Sequence, residues 1–307
     1  MNYQNVLNEI YQTIEPLLKE GNVADYIPAL AQVNPNQFAM SITLFDGSNF
    51  HVGCSDEKFS IQSISKVFTF TKALSIYSKE LYTRVGKEPS GNPFNSLVQL
   101  EYERGIPRNP FINAGAIVVT DTLLSKYKTV DETYNEVSSF IKEISDNVDI
   151  GFDKNVWFSE YKFGHRNMAL ANLMKSFNNL DNNVEDVVKT YFKHCSITMS
   201  TKELSRAMLF LANHGTDPIT NKNFLTSSQT KRINAVMLTC GHYDASGDFA
   251  YHVGLPGKSG VGGGIIAVVP NVMSIAVFSP RLNNSGNSLA GTKALEMFTT
   301  KTNLSIF

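Results

Sequence analysis

The hydrophobic period of this sequence changes four times along the chain, and those changes limit what the chain can fold into. Residues 39–45 (AMSITLF) set Met40, Ile42 and Leu44 against Ala39, Ser41 and Thr43; Asp46-Gly47 follows, and residues 49–53 lead back. Two-residue alternation broken by Asp-Gly predicts a β-hairpin with a tight turn. From Ser63 the period becomes helical, carried by Val67, Phe68, Phe70, Thr71 and Leu74, because positions three and four apart share one face of a helix. Further helices are predicted over 114–126, 167–177 and 185–194. Ser200 and Glu203 form the pattern of a capping box for a helix ending near Gly215. The tail reads as strands over 249–253, 265–269 and 274–278, then a last helix over about 287–299. At the front, Leu7, Ile10, Ile14, Leu17 and Leu18 predict a helix over 4–20 that Pro16 bends and Gly21 stops.

Strands at both ends with helices between them imply an α+β fold. An antiparallel-sheet lobe flanked by helices is expected from about 1–62 and 200–307. An all-helical lobe is expected from about 63–199, the whole of 1–307 forming one catalytic unit. The seam between the lobes is the natural place for a site.

Charge narrows the function classes. Charged residues are 18% of the chain and the net charge is −1, with no concentrated basic run of the kind that binds phosphate backbones, so nucleic acid is not an expected partner. The first residues carry no basic stretch followed by an apolar one, and no run of about 18 apolar residues exists, so neither a leader nor a membrane span is expected. Cys54, Cys195 and Cys240 are few and far apart, which suits a reducing compartment. A cytoplasmic location follows as the expectation.

The sharpest local signal is Ser63-Ile64-Ser65-Lys66. On a helix, residues three apart face the same way, so the Lys66 amine can reach the Ser63 hydroxyl. A serine hydroxyl is a weak nucleophile at neutral pH, and an amine made less basic by burial can take its proton. S-x-x-K also arises by chance in many helices. The second signal is Lys258-Ser259-Gly260, which in Ser/Lys hydrolases lines the far wall of the site and would let the Val261 N–H join that of Ser63 around an oxyanion. Its plainer reading is a glycine-rich turn between strands. Gly257-Lys258-Ser259 is not a phosphate loop, because His252 stands where that loop needs glycine. The GVGGG stretch leaves too little chain behind it for a dinucleotide fold. Ser145-Asp146-Asn147 imitates the middle motif of penicillin-recognising enzymes but lies among turn formers. The six histidines show no zinc pattern, and no metal or organic cofactor is expected.

Longer strings carry more. VADYIP (23–28), FSIQSISKVF (59–68), NPFINAGAIV (109–118), Phe158-Ser159-Glu160 with Arg166-Asn167, YFKHCSI (191–197), CGHYD (240–244) and VGLPGKSGV (253–261) resemble the serine-dependent glutaminase family. The likeness runs from about residue 23 to about residue 287. It implies a β-lactamase/penicillin-binding-protein fold and hydrolysis of L-glutamine to L-glutamate and ammonia through a γ-glutamyl ester. Carried over by position, it makes Ser63 the nucleophile and Lys66 its activating partner. Tyr26 and Tyr243 lie beside the nucleophile, with Tyr243 a candidate proton shuttle. The N–H groups of Ser63 and Val261 polarise the carboxamide, and Gln62, Asn113, Glu160, Asn167, Tyr191 and Tyr243 contact the amino acid. A carboxylate suits the ammonium of free glutamine, and Asn and Tyr donors suit its carboxylate. The family also implies a homodimer or homotetramer. The long extra terminal regions of its animal members have no counterpart in this sequence, so regulation through them is not expected. Tyr161 to His165 depart from the acidic or small residues usual in the family, so the rim of the site is expected to differ there. The competing readings are a penicillin-interactive hydrolase of the same fold and a glutamine-binding module without catalysis.

Overall fold

A computed structural model describes residues 1–91 and 95–307. Its centre is a five-stranded antiparallel sheet in the order Asn49–Gly53, Ala39–Leu44, Met273–Phe278, Gly264–Val269, Gly257–Ser259. The predicted hairpin is present, with Met40 opposite Val52 and Ile42 opposite Phe50.

Both faces of the sheet are covered. Met40, Ile42, Ile275 and Val277 pack with Leu7, Ile10 and Ile14 of the helix Tyr3–Ile14 and with Leu295 and Phe298 of the helix Leu289–Thr302. The opposite face carries Ser41 and Thr43, which in an alternating strand usually meet water. Here they meet the helix Thr201–Ala207, and their hydroxyls pair with those of Thr201 and Ser205, each at 2.8 Å. That helix starts at the expected capping box, the Ser200 side chain accepting from the Glu203 N–H while Glu203 accepts from the Ser200 N–H. The larger core runs from this face into the helices Ser65–Tyr77, Asn113–Tyr127, Val130–Ser145 and Val184–Cys195.

Three expectations need adjustment. Pro16 does not bend a continuous helix; it opens a 3-10 turn, Glu15–Lys19, after the α-helix ends at Ile14. The helix after Ser200 is broken into Thr201–Ala207 and Leu209–Ala212. The segment 249–253 is not a strand but the second half of a helix, Ser246–His252, and its cap. Phe249 and Val253, four apart, are both buried, whereas Tyr251 between them is exposed. The β-formers Phe, Tyr and Val therefore follow a helical period, set by Phe249 stacking on His242 at 3.5 Å.

A smaller sheet delivers the nucleophile segment. Phe59–Ser60 pairs with Ile197–Met199, which also pairs with Gly151–Phe152. Ile61 N donates to Ile197 O at 2.8 Å. The Ser63 loop is thus tied to the end of the helix that carries Tyr191. Gly115, in the first turn of Asn113–Tyr127, allows that helix start to sit against the chain before it, because a Cβ there would lie 1.9 Å from Asn109 O. Overpacking against backbone costs about 1–3 kcal/mol or more. Gly115→Ala is expected to lower the calorimetric unfolding midpoint by several degrees, whereas Gly151→Ala, whose Cβ would meet nothing, is expected to leave it within about a degree, as surface changes do.

Candidate active site

Ser63 lies in a short 3-10 turn, Gln62–Ile64, that runs directly into the helix Ser65–Tyr77. Gln62 holds a left-handed backbone, φ 47°, a conformation that costs a non-glycine residue free energy and is kept only where surroundings enforce it. What enforces it is the glycine-rich turn after Ser259. A Cβ on Gly260 would lie 2.7 Å from Ile61 O, and one on Gly262 would lie 2.7 Å from Ser60 O. Among the described residues, no hydrogen bond uses the N–H of Ser63 or of Val261. Two unused donors beside a hydroxyl suit a developing negative oxygen.

Lys66 is buried one helical turn on. Its Nζ donates to Phe111 O at 3.1 Å and to Asn113 Oδ1 at 2.7 Å. Burial pulls its pKa from 10.5 down to about 8. Because the protonated ammonium has only donors, it fixes the orientation of the next side chains. Asn113 must turn its oxygen to Lys66, so its Nδ2 donates to Asn167 Oδ1 at 2.9 Å. The Nδ2 of Asn167 is then left to donate to an acceptor outside this relay, such as a carboxylate.

Glu160 sits on the helix Lys154–Phe163 and Asn167 on the next, His165–Ser176. Gly164 separates them, and a Cβ there would strike the Phe192 ring at 2.2 Å and Glu160 O at 2.4 Å. That close approach lets two consecutive helices aim at one cavity. Burial raises Glu160 to about 7, against the opposing pull of the Tyr26 hydroxyl, which donates to Oε1 at 2.7 Å. Tyr26 is 51% exposed as a residue, yet its hydroxyl is held inside by Glu160, and burial raises its pKa.

Tyr243 completes the cluster from the far side. Its backbone is left-handed, φ 58°, and its phenol is pushed up to about 12 by burial, with the hydroxyls of Ser63 and Ser259 acting on it in the opposite direction as hydrogen-bond partners.

The open space is a cavity of about 350 Å³, near the small end of ligand pockets. Of the residues singled out in the sequence, Tyr26, Gln62, Ser63, Asn113, Glu160, Asn167, Tyr191 and Val261 line it. Lys66 and Tyr243 are buried and are not among the residues that line it. Asn95, Phe163, Gly164, Arg166 and Cys195 also line it, although sequence reasoning assigned none of them an individual role. Phe163 and Gly164 fall in the stretch where the rim was expected to differ. The Cys195 thiol is pushed up to about 12 by burial, which leaves it protonated and unreactive. Ser145-Asp146-Asn147 lies elsewhere. Ser145 Oγ donates to Ile141 O, and Asn147 donates to Glu203 at the capping box, so the motif is structural.

The model of the family described as Glutaminase matches residues 21–307. This chain belongs to the glutaminase family. It is 66% identical to a glutaminase of Aliarcobacter butzleri (strain RM4018) over 307 residues, covering 100% of both chains. It is 54% identical to a glutaminase of Agrobacterium fabrum over 304 residues, covering 99% and 98%. Among solved structures it resembles a probable glutaminase from Bacillus subtilis complexed with 6-diazo-5-oxo-L-norleucine, with TM-score 0.91 and 33% identity over 100% and 98% of the two chains. The probable glutaminase ybaS gives TM-score 0.94 at 36% identity, covering 99% and 97%. The fold is therefore the β-lactamase-like one expected, and the chain is an amidohydrolase whose reaction is glutamine to glutamate. Among the described residues no helix is long and apolar enough to cross a membrane.

The Tyr26–Glu160 bond carries its own test. A hydroxyl donating to a carboxylate favours the charged form, so Tyr26→Phe is expected to move the Glu160 titration above about 7. Carbon NMR of the labelled carboxyl measures it; an unmoved or lowered titration would contradict the pairing.

Proposed function

We propose that the glutaminase reaction of this chain runs through a γ-glutamyl ester on Ser63. The observation that carries the proposal is the buried Lys66 amine, with its pKa drawn down to about 8, three residues from a serine whose hydroxyl is a hydrogen-bond partner of the Tyr243 phenol.

In this reading glutamine enters with its ammonium at Glu160 and its carboxylate at donors from Asn167 and Tyr191, while Gln62 and Tyr26 complete the wall. The Ser63 proton passes to Lys66, directly or through Tyr243, as Oγ attacks the side-chain carbonyl carbon. The N–H groups of Ser63 and Val261 receive the oxyanion. When the carbon–nitrogen bond breaks, the same proton goes to nitrogen and ammonia leaves. Water then attacks the ester, gives its proton back through Lys66, and releases glutamate and the Ser63 hydroxyl. At pH 7 an amine with a pKa near 8 is unprotonated in only about a tenth of molecules, enough to serve as base without losing its power as acid. Tyr243, at about 12, suits a relay better than a resting base. The family likeness extends the proposal to two lobes divided near residues 63 and 200, and to a cytoplasmic homodimer or homotetramer, whose state sedimentation would measure.

Two outcomes test the route. Ser63→Ala is expected to release no ammonia while still binding glutamine by calorimetry; ordinary turnover by this variant would refute the assignment. In the wild type, hydroxylamine should intercept the ester, yielding γ-glutamyl hydroxamate at the expense of glutamate.

The pH profile follows from two groups that must lose protons in the free enzyme, Glu160 to hold the ammonium and Lys66 to accept the serine proton. Both are protonated below their pKa values, so kcat/KM is expected to rise as pH climbs through about 7 and about 8. Glu160→Gln should remove the lower step and raise KM. A profile flat from pH 6 to 9 would contradict both assignments.

A further inference from the structure

Lys258 is wholly buried, a second amine next to the reacting groups with no part in the chemistry above. Its Nζ donates to Gly241 O at 2.9 Å and to Ser259 O at 2.6 Å. It also lies 4.4 Å from the centroid of the Tyr243 ring. Lys258 and Lys66 meet on opposite parts of Phe111, one against its ring at 6.0 Å and the other on its carbonyl.

Two of the contacts of Lys258, with Gly241 O and with the Tyr243 ring, fall on one segment, 241–243. The Gly241 carbonyl accepts from Lys258 and also from Ser259 N at 3.2 Å and Ser259 Oγ at 3.4 Å. Gly241 has no room for a side chain, because its Cβ would lie 1.8 Å from Gly257 O. Two residues later Tyr243 holds φ 58°, which a bulky residue adopts only when its surroundings over-determine it. An amine buried without a counter-charge costs stability. A methionine would fill the same space without that cost, so packing alone does not account for an amine here. An amine that grips the backbone before Tyr243 while capping its ring does.

We propose that Lys258 is a positioning residue for the reaction: it pins the left-handed Tyr243 so that the phenol stays aligned on Ser63. The inference rests on the Ser63 route above and deepens it. Lys258 touches no substrate atom in this account and acts only through Tyr243.

The test is a double-mutant cycle on glutamine hydrolysis with Lys258→Met, Tyr243→Phe and the pair, each checked for folding by its thermal midpoint. Lys258→Met is expected to lower kcat by about 100-fold, the scale of a misplaced catalytic group, with KM within about threefold of wild type, the pattern of a lost transition-state contact. In the pair, the loss is expected to be no greater than for Tyr243→Phe alone, within about twofold, because residues acting through one group do not add. Lys258→Gln keeps a donor for one carbonyl and should recover part of kcat; it also takes the place of Met in the cycle if the Met variant does not fold. An unchanged kcat in either folded variant, or losses that multiply in the pair, would overturn the proposal. Ser63→Ala is run alongside. If it still releases ammonia the Ser63 route itself fails, whereas multiplied losses beside an inert Ser63→Ala strike only the role of Lys258.

Discussion

An amine kept out of water between two oxygen atoms is the constraint on which the site depends. Lys66 is buried and meets Phe111 O and Asn113 Oδ1. Removing an ammonium from water without a carboxylate in contact favours its neutral form, here by on the order of 3 kcal/mol for a fall from 10.5 to about 8. That is the difference between an inert surface lysine and a base usable near neutral pH. The same geometry orders the polar wall. The lysine dictates how Asn113 turns, and Asn113 dictates how Asn167 turns.

The fold supplies this constraint by crowding three chain segments. The loop 60–63 is fixed to Ile197 on one side and to the turn 260–263 on the other. The helix start at Asn113 presses against Asn109, where only glycine at 115 fits. The segment 241–243 lies on the edge strand Gly257–Ser259, where only glycine at 241 fits. Each close approach places a functional atom on the residue next to or near a glycine, which is why these glycines belong to the site although they carry no chemistry. Strain at Gln62 and Tyr243 is held by the same contacts.

Much of this was legible in the sequence, for reasons that can be named. The hairpin 39–53 announces itself by alternation and Asp-Gly, and the helix after Ser200 by its capping pair, whereas the Ser63-to-Lys66 spacing motivates a proposal and spans a 3-10 turn and a helix start, where Lys66 Nζ bonds Phe111 O and Asn113 Oδ1. The helix Val130–Ser145 is readable too, from Thr129 as its cap and a buried stripe of Val137, Ile141 and Ile144. What spacing does not encode is which residues distant in sequence share a cavity. Asn95 and Arg166 reach the pocket through tertiary packing alone. Residues 249–253 mislead because aromatic and β-branched residues favour strands in isolation, whereas stacking of Phe249 on His242 decides for a helix. Lys258 was visible within Lys-Ser-Gly, but its grip on Gly241 is a matter of three dimensions.

The state of one nitrogen tests the account most directly. With lysine labelled at the ε-carbon, NMR titration of the enzyme, assigned by comparison with Lys66→Arg, reads the Lys66 amine in isolation from turnover. The account predicts a titration near 8, well below the ordinary 10.5. A Lys66 signal that titrates at the ordinary lysine value would show a permanently charged ammonium beside Ser63 and would contradict the proposal that this amine accepts the serine proton.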